Sequence, residues 1–150
     1  MYTTIDSRMQ RYAEEAVNEH VVKFLQPAFN KENRGKKNAP FSGKLTAKQF
    51  NDILGRSVKQ SERYRVMNSQ GATYDEIYKS FHTPTKMSIF TYHGEVDTTM
   101  TPIDSIKYYK SFLRCGFMSM SPINGAVKAY VGGLNFIHFN YDMCTEGRRQ

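Results

Sequence analysis

The 150-residue sequence contains no tryptophan, only two cysteines and five prolines. It has no apolar run approaching the roughly 20 residues that a membrane-crossing helix needs, which excludes such a helix on sequence grounds. Met1 to Asp6 lacks the basic start and apolar centre of a secretory signal, so the expected compartment is the cytoplasm. Cys115 and Cys144 are too few for the dense framework of a small secreted fold, and both read as free thiols. The four histidines, His20, His82, His93 and His138, lie far apart, and neither cysteine has a partner at ligand spacing; no metal is expected. Ser119 is not in a Gly-x-Ser-x-Gly elbow. Gly132-Gly133 lacks the Lys-Ser/Thr sequel of a phosphate-cradling loop. No His-x-Thr pair of the two-histidine phosphoesterases is present either.

What is present is positive charge. Lys and Arg number 21 against 14 Asp and Glu, a formal net charge of +7. Such a surplus concentrates anionic partners such as nucleic acid, nucleotides or acidic protein faces near the surface. The cations cluster. Lys31, Arg34, Lys36, Lys37 and Lys44 crowd one stretch, Arg56, Lys59, Arg63 and Arg65 the next, and Arg148 and Arg149 close the chain.

Ile5, Met9, Tyr12, Ala16, Val21 and Phe24 recur at helical spacing, and Pro27 is expected to end that helix. Residues 28–44 turn to Asn, Lys, Gly and Pro, the composition of a linker, which Phe29 and Phe41 pin to the body. Thr46-Ala47-Lys48-Gln49 and Thr73-Tyr74-Asp75-Glu76 are capping boxes, each opening a helix. Gly55 reads as the stop of the first. Further helical character is expected around 61–67, and Pro84 breaks whatever precedes it. Residues 87–92 read as a strand, Thr101-Pro102 as a helix start, and 117–119 as a short extended piece. Ser121-Pro122 reads as the start of another helix running through Ala126, Ala129 and Tyr130. Residues 134–141 read as a central strand buried on both faces. The expected class is α+β, one domain over 1–150. It comprises a helical part (1–83, with the basic linker 28–44) and a β-rich core (86–142) built on a small split mixed or antiparallel sheet.

Two polar breaks flank the helix after Pro102: Tyr92-His93-Gly94, and Gly116-Phe117-Met118-Ser119-Met120-Ser121. Their order and spacing, with Ala126 and Ala129 behind and Phe136-Ile137-His138-Phe139 after, resemble the mono-ADP-ribosyltransferase family over about residues 87–141. The resemblance implies that family's fold and NAD as substrate, with no metal. It implies that Tyr92, His93, Gly94, Ser119 and Ser121 hold the dinucleotide, with Gly94 allowing close backbone approach and Ser121 chiefly capping a helix. It makes His93 and Ser119 catalytic beside a carboxylate that stabilises an oxocarbenium-like transition state. The family's Glu-x-Glu element is not found. Glu146 stands as the catalytic acid, with Asp142 and Glu95 as the other acids at hand.

Two functions therefore stand side by side. The first transfers ADP-ribose from NAD to a protein or nucleic-acid target. The second is a catalytically inactive relative that binds or inhibits an anionic partner, nucleic acid or acidic protein, through Lys31, Arg34, Lys36, Lys37 and Lys44. It would be a factor from a phage or mobile element, with no membrane involved. A plain nucleic-acid-binding domain rests on charge alone, with no signature to name it.

Overall fold

The computed structural model describes residues 3–147; Arg148 and Arg149 of the basic inventory lie outside them. The protein is of the α+β class, with helices at the N-terminus followed by small antiparallel two-stranded sheets. The helices are α1 (Ser7–Val17), a π-helical stretch (Asn18–Leu25), α2 (Gln26–Asn33), α3 (Ala47–Gln60), α4 (Glu62–Ser69) and α5 (Tyr74–His82). Then come β1 (Thr85–Thr91), β2 (Gly94–Met100), α6 (Pro102–Lys110), β3 (Phe117–Met120) and β4 (Val127–Val131). The chain packs as two compact units, Asn30–Phe112 and Met1–Phe29 with Leu113–Gln150.

In the Asn30–Phe112 unit, both capping boxes form as the sequence predicts. The Thr46 hydroxyl accepts from the Gln49 N–H and the Gln49 amide oxygen from the Thr46 N–H; Thr73 and Glu76 pair the same way, with the Glu76 carboxylate accepting from the Thr73 N–H. The Thr73 N–H and hydroxyl hold the Glu76 carboxyl below its usual range. Gly55 does not stop α3. Apolar residues continue past it at helical spacing, with Leu54 buried and Val58 half-buried, so the helix runs to Gln60. Leu54, Ile77, Phe81, Ile89 and Phe90 are the buried apolar side chains, and α6 packs on α3 and α5. Phe41 does pin the loop after α2, meeting Phe50 edge-on at 5.7 Å. The expected linker is shorter than 28–44, because α2 occupies its first part. Pro27 does not end the helical run. It falls in the first turn of α2, where a missing N–H is tolerated.

In the other unit, α1 packs against β4 around Ala13, Ala129 and Val131, with Val17 beside them. Asp6 caps α1, accepting from the Arg8 and Met9 N–H groups, which lower its pKa. Two expectations fail here. Residues 121–130 are not a helix but a turn followed by β4, antiparallel to β3 with Ser119 opposite Ala129 and a register shift after Ser119. Ser121-Pro122, an N-cap and first-position pair, suggested a helix. Asn124-Gly125 is a turn signal, and alternate β4 residues Ala129 and Val131 face the core, a strand period. Residues 134–141 are not a strand. Asn135 Oδ1 accepts from the N–H groups of Ile137 and His138, curling the segment into turns. Only Phe139 is buried there, while Phe136 and Ile137 are about four-fifths exposed. Behind β4 the chain runs so close that a Cβ on Gly132 would sit 2.8 Å from the Asp142 carboxylate.

Candidate functional site

Tyr92 and His93 form the two-residue connection of the β1–β2 hairpin, with Thr91 paired to Gly94. Gly94 has φ +118°, a conformation that side-chain-bearing residues avoid. The Thr91 hydroxyl stitches the turn: it donates to the Gly94 carbonyl at 2.7 Å and accepts from the His93 N–H at 3.2 Å. His93 is exposed at the hairpin tip. Tyr92 turns inward, its ring edge-on to Phe90 at 5.7 Å and Phe112 at 5.3 Å. This aromatic group also includes Tyr108 and Tyr109 of α6. The Tyr108 hydroxyl donates to the Phe90 carbonyl at 2.7 Å, and the Phe90 N–H donates to the Tyr109 hydroxyl at 3.1 Å. Burial raises the Tyr108 pKa, so its hydroxyl keeps its proton.

Ser119 and Ser121 lie in the other unit. Ser119 is a half-buried β3 residue. The Ser121 N–H donates to the Ala126 carbonyl at 2.9 Å, closing the β3–β4 turn. Ser121 thus closes a turn rather than capping a helix. Glu146 is exposed, its N–H donating to the Asp142 carbonyl at 3.0 Å and its carbonyl accepting from the Tyr141 hydroxyl. Asp142 is the better-held acid. It accepts from the Tyr130 hydroxyl and from the Cys144 and Thr145 N–H groups, the tyrosine contributing most to lowering its pKa. Burial pushes the Cys115 and Cys144 thiols above their ordinary range, the reverse of an activated nucleophile. Among the described residues no group of three His, Cys, Asp or Glu side chains is placed to hold a metal ion, and no helix is long and apolar enough to cross a membrane.

Two open hollows lie among the described residues. One of about 480 Å³ lies on the β1–β2 hairpin, lined by Lys86, Met87, Ser88, Asp97, Thr98 and Thr99. Charge separates the units more sharply than shape does. Asn30–Phe112 holds fourteen Lys and Arg against eight Asp and Glu, six of the seven net positive charges. Three of those acids are paired, Glu32 with Lys36, Glu62 with Arg65 and Asp104 with Lys107. Exposed Lys44, Lys48, Arg56, Lys59, Lys79 and Lys110 make no ion pair among the described residues. Sequence reasoning singled out the basic clusters; it left Tyr74 unremarked and placed Tyr78 with Ile77 and Phe81 on the buried side of α5, whereas Tyr74 and Tyr78 stand 78% and 55% exposed beside Lys79. Their four-residue spacing on a capped helix is the signal that could have found them.

A basic, aromatic-studded α+β unit is the class these features define. Residues 36–113 match the model of the penicillin-binding protein middle domain, just over half of the chain, so the protein belongs to that family. No curated protein and no solved structure matches. The family match overturns the resemblance to mono-ADP-ribosyltransferases and points away from the NAD and transferase attributions; nothing supports the attribution to a phage or mobile element. The roles of Tyr92, His93, Gly94, Ser119, Ser121 and Glu146 toward NAD came with that resemblance and are not carried further. Their pattern has a local cause: a hairpin needs a glycine-bearing turn, and a strand end tolerates serine.

Proposed function

We propose that the chain acts as a non-catalytic docking module whose basic unit engages an acidic protein surface. The observation that carries this reading is a coincidence of boundaries: the family match over 36–113 nearly coincides with the compact unit Asn30–Phe112, and that unit holds almost all the surplus charge. The name of the family describes an internal module of a penicillin-binding protein. Penicillin-reactive enzymes place their serine in Ser-x-x-Lys, accompanied by Ser-Asp-Asn and Lys-Thr-Gly; none of the three occurs in these 150 residues. Exposed tyrosines and arginines are enriched at protein interfaces, and the lysines around them supply charge that draws an acidic partner. An acidic protein suits the surface better than a nucleic acid. Asp52, Glu62, Asp75 and Glu76 interrupt the cations along α3, α4 and α5, leaving no unbroken track for a phosphate backbone.

The test is fluorescence anisotropy with a labelled oligoglutamate peptide and a single-stranded DNA of equal charge. The expected result is peptide binding that weakens with added salt and with joint Lys44→Glu, Lys48→Glu and Lys59→Glu substitution. No peptide binding at low salt, or DNA binding at least tenfold tighter, refutes it. In parallel, a fluorescent penicillin should leave the chain unlabelled; covalent labelling would overturn the non-catalytic part.

A further inference from the structure

Each two-stranded sheet has one edge closed by side chains standing in for a third strand. On β1, the Tyr108 and Tyr109 hydroxyls take up both peptide groups of Phe90. On β4, the Gln10 side chain does the same for Tyr130: its Oε1 accepts from the Tyr130 N–H at 2.8 Å, and its Nε2 donates to the Tyr130 carbonyl at 2.9 Å. The Asp6 N–H and Thr4 hydroxyl extend this cover by donating to the Lys128 and Val127 carbonyls. The opposite edges differ from each other. β2 carries exposed Glu95 and Asp97, the kind of charge that keeps an edge from pairing. β3 carries none. Phe117, Met118 and Met120 are 46%, 45% and 50% exposed, Ile123 in the following turn is 93% exposed, and no charged residue lies between them. Because Tyr130 turns its peptide groups out toward Gln10, its register partner Met118 turns its own out on the other side. The Met118 N–H and carbonyl have no hydrogen-bond partner among the described residues.

We propose that β3 is the pairing edge of a homodimer, joining a second copy antiparallel across a two-fold axis. Met118 of each copy faces Met118 of the other, so the two outward peptides exchange N–H to carbonyl bonds in both directions, and a four-stranded sheet results. The occupant is a second copy for three reasons. The edge is self-complementary about Met118, as an isologous contact requires. The unit that bears it holds seven Lys and Arg against six Asp and Glu, so copies meeting there avoid the repulsion that the basic unit would impose. The area is also adequate for a weak pair. At about 200 Å² for a fully exposed large side chain, the four apolar residues offer roughly 450 Å² per copy. That is about 900 Å² in total, the range of weak, reversible interfaces. This inference stands apart from the docking reading, since β3 lies outside the matched segment.

The experiment is analytical ultracentrifugation of the full chain from micromolar to millimolar concentration, with hydrogen exchange at both ends of the range. The expected result is a monomer–dimer equilibrium in which the Met118 amide slows as concentration rises while the Tyr130 amide does not. Met118→Lys, which sets two cations face to face, should weaken the dimer roughly tenfold or more, while Met118→Leu leaves it intact. A monomer at all concentrations overturns the proposal, as does growth beyond two copies. A dimer indifferent to a folded Met118→Lys chain does so too. Should that variant fail to fold, exchange at Met118 in the unaltered protein decides: concentration-independent protection there overturns it.

Discussion

Gln10→Ala removes the side chain that bonds both peptide groups of Tyr130, at 2.8 and 2.9 Å. Two neutral hydrogen bonds contribute about 1 kcal/mol each on balance, and alanine's better helix propensity returns roughly 0.4 kcal/mol in α1. The expected loss is therefore about 1.5 kcal/mol, or roughly 3–6 °C in melting temperature for a chain of this size. Gln10→Glu sharpens the test. It keeps the length but replaces the donor with an acceptor facing the Tyr130 carbonyl and the Glu14 carboxylate, to which Gln10 Nε2 now donates at 2.7 Å. At neutral pH this variant should lose more than Gln10→Ala, and part of the difference should return in acid as the new carboxyl takes up a proton. Urea titration followed by far-ultraviolet circular dichroism suits a chain without tryptophan. The reasoning fails if Gln10→Ala stays within about 0.5 kcal/mol of the parent, the usual range of a neutral surface change, or if Gln10→Glu is no worse than Gln10→Ala.

Tyr109→Phe should cost about 1 kcal/mol and speed exchange of the Phe90 amide, whereas Tyr108→Phe should cost a similar amount without that acceleration, because it serves the carbonyl; equal exchange in both variants would contradict the assignment. Asp142 has its pKa lowered in the folded chain, chiefly by the Tyr130 hydroxyl. Its contribution is therefore complete above the unfolded carboxyl value of about 3.9 and lost as pH falls through the lower folded value. Asp142→Asn should flatten the acid limb of urea midpoint against pH below about pH 4, and an unchanged limb would refute the role. Thr73→Ala should destabilise α5 by about 1 kcal/mol, measurable in the same titration, with a loss near zero counting against the capping box.

The helices were legible where a local rule acts on neighbouring residues. Thr46 with Gln49, Thr73 with Glu76, and Thr101 before Pro102 each satisfy N–H groups within one turn, and all three form as their spacing predicts. The strands were less so. Ser121-Pro122 suggested a helix running through Ala126 and Ala129 because a proline after an N-cap residue suits a first turn, although Asn124-Gly125 within it marks a turn. The aromatic run at 134–141 suggested a buried strand because hydrophobicity was weighed without Asn135, whose side chain offers the backbone an alternative to a ladder. At Pro27 the expectation failed for want of the π-helical stretch before it, which no simple periodicity announces.

The candidate site was misread for a related reason. A histidine at a hairpin tip and a serine in a short strand satisfy a motif by order and spacing alone, while chemistry depends on what surrounds them. Net charge is legible in any sequence. That six of the seven surplus charges fall within Asn30–Phe112 emerges only when the boundary of the compact unit is known. The open edge at β3 lies further still from sequence reasoning. Which of Phe117 or Met118 turns its peptide groups outward follows from the register with β4, and that register is pinned by Gln10, 120 residues from Tyr130 along the chain. A shift by one residue would direct the Phe117 peptide outward and remove the self-pairing geometry. The edge is therefore a property of a long-range hydrogen bond, and Gln10→Ala, by loosening that register, should weaken association at β3 although Gln10 itself sits on the opposite edge of the sheet.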